Sequence, residues 1–304
     1  MALHYTLKKV FYSTILCLIL LTGTYSYSSG KVKIAVWGDS RENKDNACEH
    51  IASILLHKIT DWDFQIHTGD FTHAGEEADW QRSLSYQGME RLFVPGKMFL
   101  CTSNHDDNQT TWDKYTAGVL PINSADSTTH FYAYQKENVH VVMCDAYFTD
   151  STTMQNWLDQ YLATVNDEDW LIGVWHNPCY GDLTYKKSYL GKCKPWLESF
   201  YRHGGDFILH GHAHIYLRTK PLLPDGTVDQ EKGMVHIING TGGATWEPAQ
   251  KYVDKTAFTP NSTSFPCITF ITFDGKTATV QTIDARPKKK LEVIDEWKWS
   301  KENK

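Results

Sequence analysis

His212 and His214 stand either side of Ala213, where the apolar run from Phe207 to Leu209 gives way to polar residues. Neutral imidazole is the commonest side-chain metal ligand. Two of them one residue apart, at the tip of a strand, can address one ion or two adjacent ions. The same kind of ending recurs along the chain. Asp39 follows the run from Val32 to Trp37. Asp70 follows Phe64 to His67, with His73 three residues on. Asn104 and His105 follow Met98 to Thr102, and His176 follows Asp169 to Trp175. Carboxylate, amide oxygen and imidazole suit hard and borderline divalent ions rather than soft copper. Asp39, Asp70, His73, Asn104, His176, His212 and His214 are too many donors for one tetrahedral site. They suit two ions sharing a carboxylate, the arrangement that clamps the attacking and leaving oxygens of an in-line displacement at phosphorus.

The elements that must hold these donors follow from periodicity. Ala47, Ile51, Ile54, Leu55 and Ile59 recur at helical spacing and predict a helix over 43–59. Further helices are predicted over 76–92, 153–162 and 196–203, the last stopped by Gly204-Gly205. Strand, loop, helix, strand, repeated, is the sequence form of βαβ units in a largely parallel sheet, whose ligands gather at the carboxyl ends of the strands. Residues 130–135 and 139–144 read as a hairpin. Beyond the histidine pair only strands are predicted, over 215–219, 235–239, 266–273 and 277–283, with turn signals at Asp225-Gly226 and Asp274-Gly275. No linker separates the halves, which predicts one α/β domain of two packed mixed sheets flanked by helices.

The 304 residues suffice for one large core. Residues 1–28 have the form of a secretory signal: Lys8 and Lys9, the short apolar run from Val10 to Leu21, then small residues at cleavage spacing. An uncleaved anchor is the other reading of that segment, although the run is shorter than the roughly 20 residues a span needs. Cleavage removes two lysines and no acid and makes the net charge of −6 more negative, which argues against a nucleic-acid polymer as partner. The expected domain covers 29–287, followed by a charged tail from 288 to 304 that opens with Lys288-Lys289-Lys290. Export permits disulfides; Cys179 and Cys193, flanking a polar loop at 180–187, are the candidate pair. Cys101 and Cys144 read as buried hydrophobes. Asn108, Asn239 and Asn261 head acceptor triplets for glycosylation in a eukaryotic secretory route.

The ordered blocks Gly38-Asp39, Gly69-Asp70-Phe71-Thr72-His73, Ser103-Asn104-His105-Asp106, Trp175-His176 and Gly211-His212-Ala213-His214 resemble those of the calcineurin-like metallophosphoesterase superfamily. Within it they are most similar to the purple acid phosphatase branch, which Tyr216, Arg218 and Gly240-Thr241-Gly242-Gly243 also resemble. The resemblance implies a four-layer α/β/β/α sandwich and a phosphoesterase, which the signal segment would make secreted or periplasmic. Its substrates would be small phosphate monoesters, attacked by a metal-activated hydroxide. It implies that Asp39, His73 and His214 hold one metal, that Asn104, His176 and His212 hold the other, and that Asp70 bridges them. His105 would face the substrate, stabilise phosphoryl charge and protonate the leaving oxygen, with Asp106 fixing its ring.

Three positions depart from the family pattern. His73 stands where the purple branch has tyrosine, so no purple band is expected. Arg41 stands where much of the superfamily has a histidine; always charged and without an acceptor, it cannot be a ligand, and a grip on a phosphate oxygen is the functional reading. Ser103 replaces a glycine. The metal pair stays open among Fe, Zn and Mn. A diester, nucleotide or phospholipid head group stays open as substrate, as does a non-catalytic scaffold that keeps the fold.

Overall fold

A computed structural model describes residues 30–123, 125–180, 190–246 and 258–303. The signal segment and residues 181–187 of the polar loop lie outside the described residues. The first sheet is built on the parallel strands β1 (Val32–Trp37), β2 (Phe64–His67) and β3 (Met98–Leu100). The second has a central block formed by the antiparallel pair β4 (Tyr132–Lys136) and β5 (Val139–Met143), then β6 (Trp170–Val174) and β7 (Phe207–His210) parallel to β5. It continues through β9 (Val235–Asn239) to β8 (Tyr216–Thr219) and β10 (Phe258–Thr263). The meander β11 (Cys267–Asp274), β12 (Thr277–Asp284) and β13 (Val293–Ser300) returns to the first sheet, giving the order β13-β12-β11-β1-β2-β3.

β1, β6, β7 and β9 are apolar on both faces because both faces are covered. The larger core lies between the sheets, where Trp170 and Phe207 meet Phe273, and extends under helix α1 (Ala47–His57) through Ile51, Ile54 and Leu55. Helices α5 (Ser151–Leu162) and α6 (Leu190–Arg202) cover the outer face of the second sheet, with Met154, Leu158, Leu162, Leu197 and Phe200 packed with Leu171 and Ile208. The two mixed sheets and their flanking helices are the architecture that the sequence predicts.

Local departures have local causes. The helix predicted over 76–92 is two, α2 (Glu77–Ser85) and α3 (Met89–Leu92), broken where Gly88 takes φ +93°. Helix α4 (Gln109–Thr116) has no apolar period; its signal is the cap, Asn108, whose side chain accepts from Thr111 N. The stretch read as a charged tail carries β13, eight residues paired with β12. Its inward position is filled by Asp295, which the second sheet neutralises with Arg218, so an alternation of apolar residues never showed. Asn239 is fully buried and donates to Val36 O and Thr269 Oγ1, so its acceptor triplet is structural. Cys179 and Cys193 are bonded, and Cys48, Cys101, Cys144 and Cys267 are free and buried. Among the described residues no helix is long and apolar enough to cross a membrane.

Candidate metal centre

The carboxyl ends of β1, β2, β3, β6 and β7 converge, and each delivers the donor predicted for it. Three of these residues turn the chain in the left-handed region: Asp39 at φ 57°, Asp70 at 53° and His212 at 65°. Asp and His enter that conformation more readily than most other residues, yet three such turns in one place are unusual, and such strain concentrates at functional sites. Gly211 is required beside them, since a Cβ there would collide with the Asp39 carboxylate and the Thr68 backbone. The two sheets are stitched at this point by His212 N–H, which donates to both Asp39 oxygens at 3.0 and 3.1 Å.

Asp39, Asp70 and His214, all buried, bring their ligand atoms within 4.8 Å of one another. His176 Nε2 is 3.1 Å from Asp70 Oδ1, and His212 Nδ1 is 2.9 Å from Asn104 Oδ1. The His176 and His212 rings meet edge to face at 5.1 Å. Six of the seven predicted donors are thus gathered. His73 is not: its side chain is exposed, and its ring lies tilted against His105 at 5.9 Å instead of among the buried donors. The reading of His73 as a ligand beside Asp39 and His214 finds no support in this arrangement, because the β2–α2 loop leaves its ring exposed.

Hydrogen bonding fixes what the imidazoles offer. A carbonyl oxygen only accepts, so His176 Nδ1–H donates to Thr68 O (2.7 Å) and His214 Nδ1–H donates to Thr245 O (2.6 Å). In the neutral rings, Nε2 is then a lone pair aimed at a carboxylate: His176 at Asp70, and His214 at Asp39 from 3.5 Å. Asp70 Oδ1 and His176 Nε2 are buried and make no hydrogen bond. Lone pair facing lone pair is repulsive unless a proton or a metal cation stands between them, and a ligating histidine characteristically gives its other N–H to a backbone carbonyl. The residues present therefore fit metal ions.

In the metal-free protein, protons take the cations' place. Burial works to lower the His176 imidazole, but the adjoining Asp70 outweighs it and brings the group to about 9. Burial likewise opposes ionisation of Asp70, yet His176, with His105 and Arg41 behind it, holds that carboxyl far below its ordinary range. Asp39, buried and beside an ionised Asp70, is pushed well above its ordinary value.

The supporting residues differ from expectation. Asp106 was expected to hold the His105 ring. Instead its oxygens accept from Phe71 N, Thr72 N, the Thr72 hydroxyl and the Ser103 hydroxyl, tying down the Asp70 loop. Ser103, noted only as a departure, is central to this: its Oγ accepts from Asp70 N at 2.8 Å and donates to Asp106 at 2.6 Å. His105 is oriented by His73 O, to which its Nδ1–H donates at 2.5 Å, leaving Nε2 4.0 Å from Asp70 Oδ2 on the accessible side of the site. Arg41 lies beside it, Nε 3.4 Å from Asp70 Oδ2, with its side chain only 11% exposed. Sequence reasoning missed Thr68, Thr245 and Glu42, which act through backbone carbonyls or anchor the Thr245 turn and leave no mark in a motif.

The model of the calcineurin-like phosphoesterase family matches residues 32–216. Purple acid phosphatase 15 of Arabidopsis thaliana is 28% identical over 190 residues, which cover 59% of this chain and 35% of that protein. Purple acid phosphatase 18 of the same plant is 30% identical over 146 residues, 45% of this chain and 32% of that one. The chain thus spans about a third of the length of these curated relatives. Among solved structures, the yellow lupin purple acid phosphatase PPD1 superposes with a TM-score of 0.72 at 16% identity, over 90% of this chain and 54% of that one. GAP50, the anchor in the inner membrane complex of Plasmodium, superposes with a TM-score of 0.64 at 14% identity over 89% of both. These two likenesses are likenesses of fold.

Proposed function

The chain belongs to the calcineurin-like phosphoesterase family, and from that premise we propose that it is a metal-dependent phosphoric ester hydrolase of the purple acid phosphatase type. Its natural substrates are small phosphate monoesters and its centre takes two ions. The observation that carries this reading is the pair of imidazole lone pairs, on His176 and His214, each held by a backbone carbonyl against a buried carboxylate. Two such confrontations offer places for two cations. Asp39, Asp70 and His214 would hold one, and Asp70, Asn104, His176 and His212 the other. When bound, the ions supply an acidified water as nucleophile and neutralise charge on the phosphoryl oxygens.

The chain's own residues do the remainder. His105 Nε2 faces the site, and in the imidazolium form, with Nδ1–H held by His73 O, its Nε2 proton would pass to the leaving oxygen, leaving a neutral ring. Arg41, fixed beside Asp70, adds a permanent positive charge against the phosphoryl oxygens. Asp106 and Ser103 keep the Asp70 turn in place, and the peptides of Thr68 and Thr245 keep His176 and His214 in the ligating tautomer. The form of residues 1–28 supports export, and small soluble phosphoesters outside the cytosol are the corresponding substrates.

The test pairs metal analysis with a substrate panel. Protein loaded at saturating metal should hold close to two ions per chain and hydrolyse a nitrophenyl monoester in preference to its bis-ester. A faster diester rate transfers the assignment to phosphodiesters. A chain that loads metal and turns over neither ester is a scaffold.

A further inference from the structure

Two fully buried histidines lie outside the donor set. His210 ends β7 and His236 lies on the adjacent β9, on the face of the second sheet that carries Ile208 and Trp175. Their rings stack at 18°, 5.4 Å apart. His210 Nδ1 lies 3.0 Å from Trp175 O, and His210 Nε2 lies 3.1 Å from His236 Nδ1. A carbonyl oxygen only accepts, so the proton sits on His210 Nδ1. Nε2 of that neutral ring is then a lone pair, and His236 Nδ1–H donates to it. The hydrogen bonds run one way, from His236 through His210 to the peptide that joins Trp175 to the donor His176. That carbonyl lacks its ordinary partner. Trp175 N–H donates to Leu209 O at 3.2 Å, and regular parallel pairing would next bring Gly211 N–H to Trp175 O. Gly211 N–H goes instead to His176 O at 3.0 Å, one residue on. The ladder slips where His176 leaves the sheet, and the His210 imidazole supplies the donor that the slip removes.

We propose that His210, oriented by His236, is a positioning residue of the metal centre: it replaces the ladder donor lost at the slip and holds the peptide from which His176 turns to meet Asp70. This rests on the metal-dependent reading of the site and deepens it. His176 is then restrained twice, at its ring by Thr68 O and at its backbone by His210. The tautomer matters as much as the ring. Were the His210 proton on Nε2, Nδ1 would turn a lone pair on the Trp175 carbonyl; His236, donating to Nε2, holds that form off. An apolar residue at either position fills the space without orienting anything.

The test is metal affinity of the metal-stripped full chain, by equilibrium dialysis against Zn²⁺, beside the urea midpoint of each variant. His210→Leu removes the donor and should weaken metal binding about 10–100-fold, the range for residues that orient a ligand. His210→Asn, whose amide nitrogen can take the place of Nδ1, should restore most of that affinity. His236→Leu should weaken binding by less than His210→Leu. A merely structural histidine would lower the urea midpoint without this order in metal affinity. Wild-type affinity in folded His210→Leu, or equal losses in the Leu and Asn variants, would therefore overturn the proposal while leaving the phosphoesterase reading intact. If His210→Leu does not fold, His236→Leu and the nitrogen-15 spectra of the wild-type imidazoles decide. His210, assigned by its absence from His210→Asn, should be the Nδ1–H tautomer; an Nε2–H tautomer, or unchanged affinity in His236→Leu, overturns the proposal. Loading of no ion by the folded wild type overturns both.

Discussion

Arg218 on β8 and Asp295 on β13 form a bidentate ion pair between the two sheets, Nε to Oδ2 at 2.7 Å and Nη2 to Oδ1 at 2.9 Å, with both side chains nearly inaccessible. The Tyr216 hydroxyl donates to the same Asp295 oxygen at 2.6 Å, and Trp297 covers the guanidinium at 5.0 Å. The pair fastens the last strand of the first sheet to the second sheet. Removing one partner strands a buried charge, which costs about 3–5 kcal/mol. Asp295→Ala should lower the unfolding free energy by that amount, read as a fall in the urea midpoint, and the Arg218→Met/Asp295→Leu double variant should recover a large part of it. A single variant with unchanged midpoint would remove the pair from the account of stability.

We propose that His105 serves substrate: its ring, on the accessible side, is held by His73 O, and its Nε2 lies 4.0 Å from Asp70, farther out than His176 at 3.1 Å. His105→Ala should lower kcat by about 10²–10⁴-fold, the range for loss of a positioned proton donor. Metal analysis should show an unchanged ion count, and loss of metal would instead make His105 a ligand.

His73→Ala should leave metal content unaltered, because the exposed ring stands apart from the buried donors. The contact of its ring with His105 predicts a rate change of only a few-fold. An ion lost in parallel with His73 would return it to the coordination shell.

Metal loading should release protons. His176 has a value of about 9 in the metal-free protein and is protonated at pH 7, while a ligating imidazole must be neutral. Calorimetry of metal binding in two buffers of different ionisation enthalpy should report about one proton released from this group at pH 7. The release should fall by that amount in His176→Gln.

His67, buried behind Asp70 between the Trp37 and Phe71 rings, is lowered by desolvation to about 3, with Asp70 opposing and His176 assisting. A folded value below the unfolded one means stability is fully present above pH 6.5 and is lost as pH falls toward 3. This group alone contributes a slope of about 1.4 kcal/mol per pH unit within that window. Urea midpoints of the metal-free protein between pH 6 and 4.5 should fall accordingly, and His67→Gln should flatten the acid limb.

Much of the arrangement could be read from the chain itself. Apolar runs ending in Asp39, Asp70, Asn104, His176 and His212 fix a sheet with donors at the carboxyl ends, because strands buried on both faces have a composition of their own and polar residues there stand out. Helical spacing located α1, and a polar loop flanked by two cysteines marked Cys179 and Cys193, which the structure shows bonded. Side-chain direction and long-range pairing were not readable. Whether His73 turns inward depends on the path of the β2–α2 loop; that Asp106 serves the Asp70 turn depends on Ser103 and Thr72 arriving from other loops. That Asp295 belongs in a core depends on Arg218, 77 residues away, reaching it from the other sheet. Periodicity and composition are local properties of a polymer, so they determine which donors end which strands. The neutralisation of a buried charge is a property of neighbours in space, and only the packed sheets decide it.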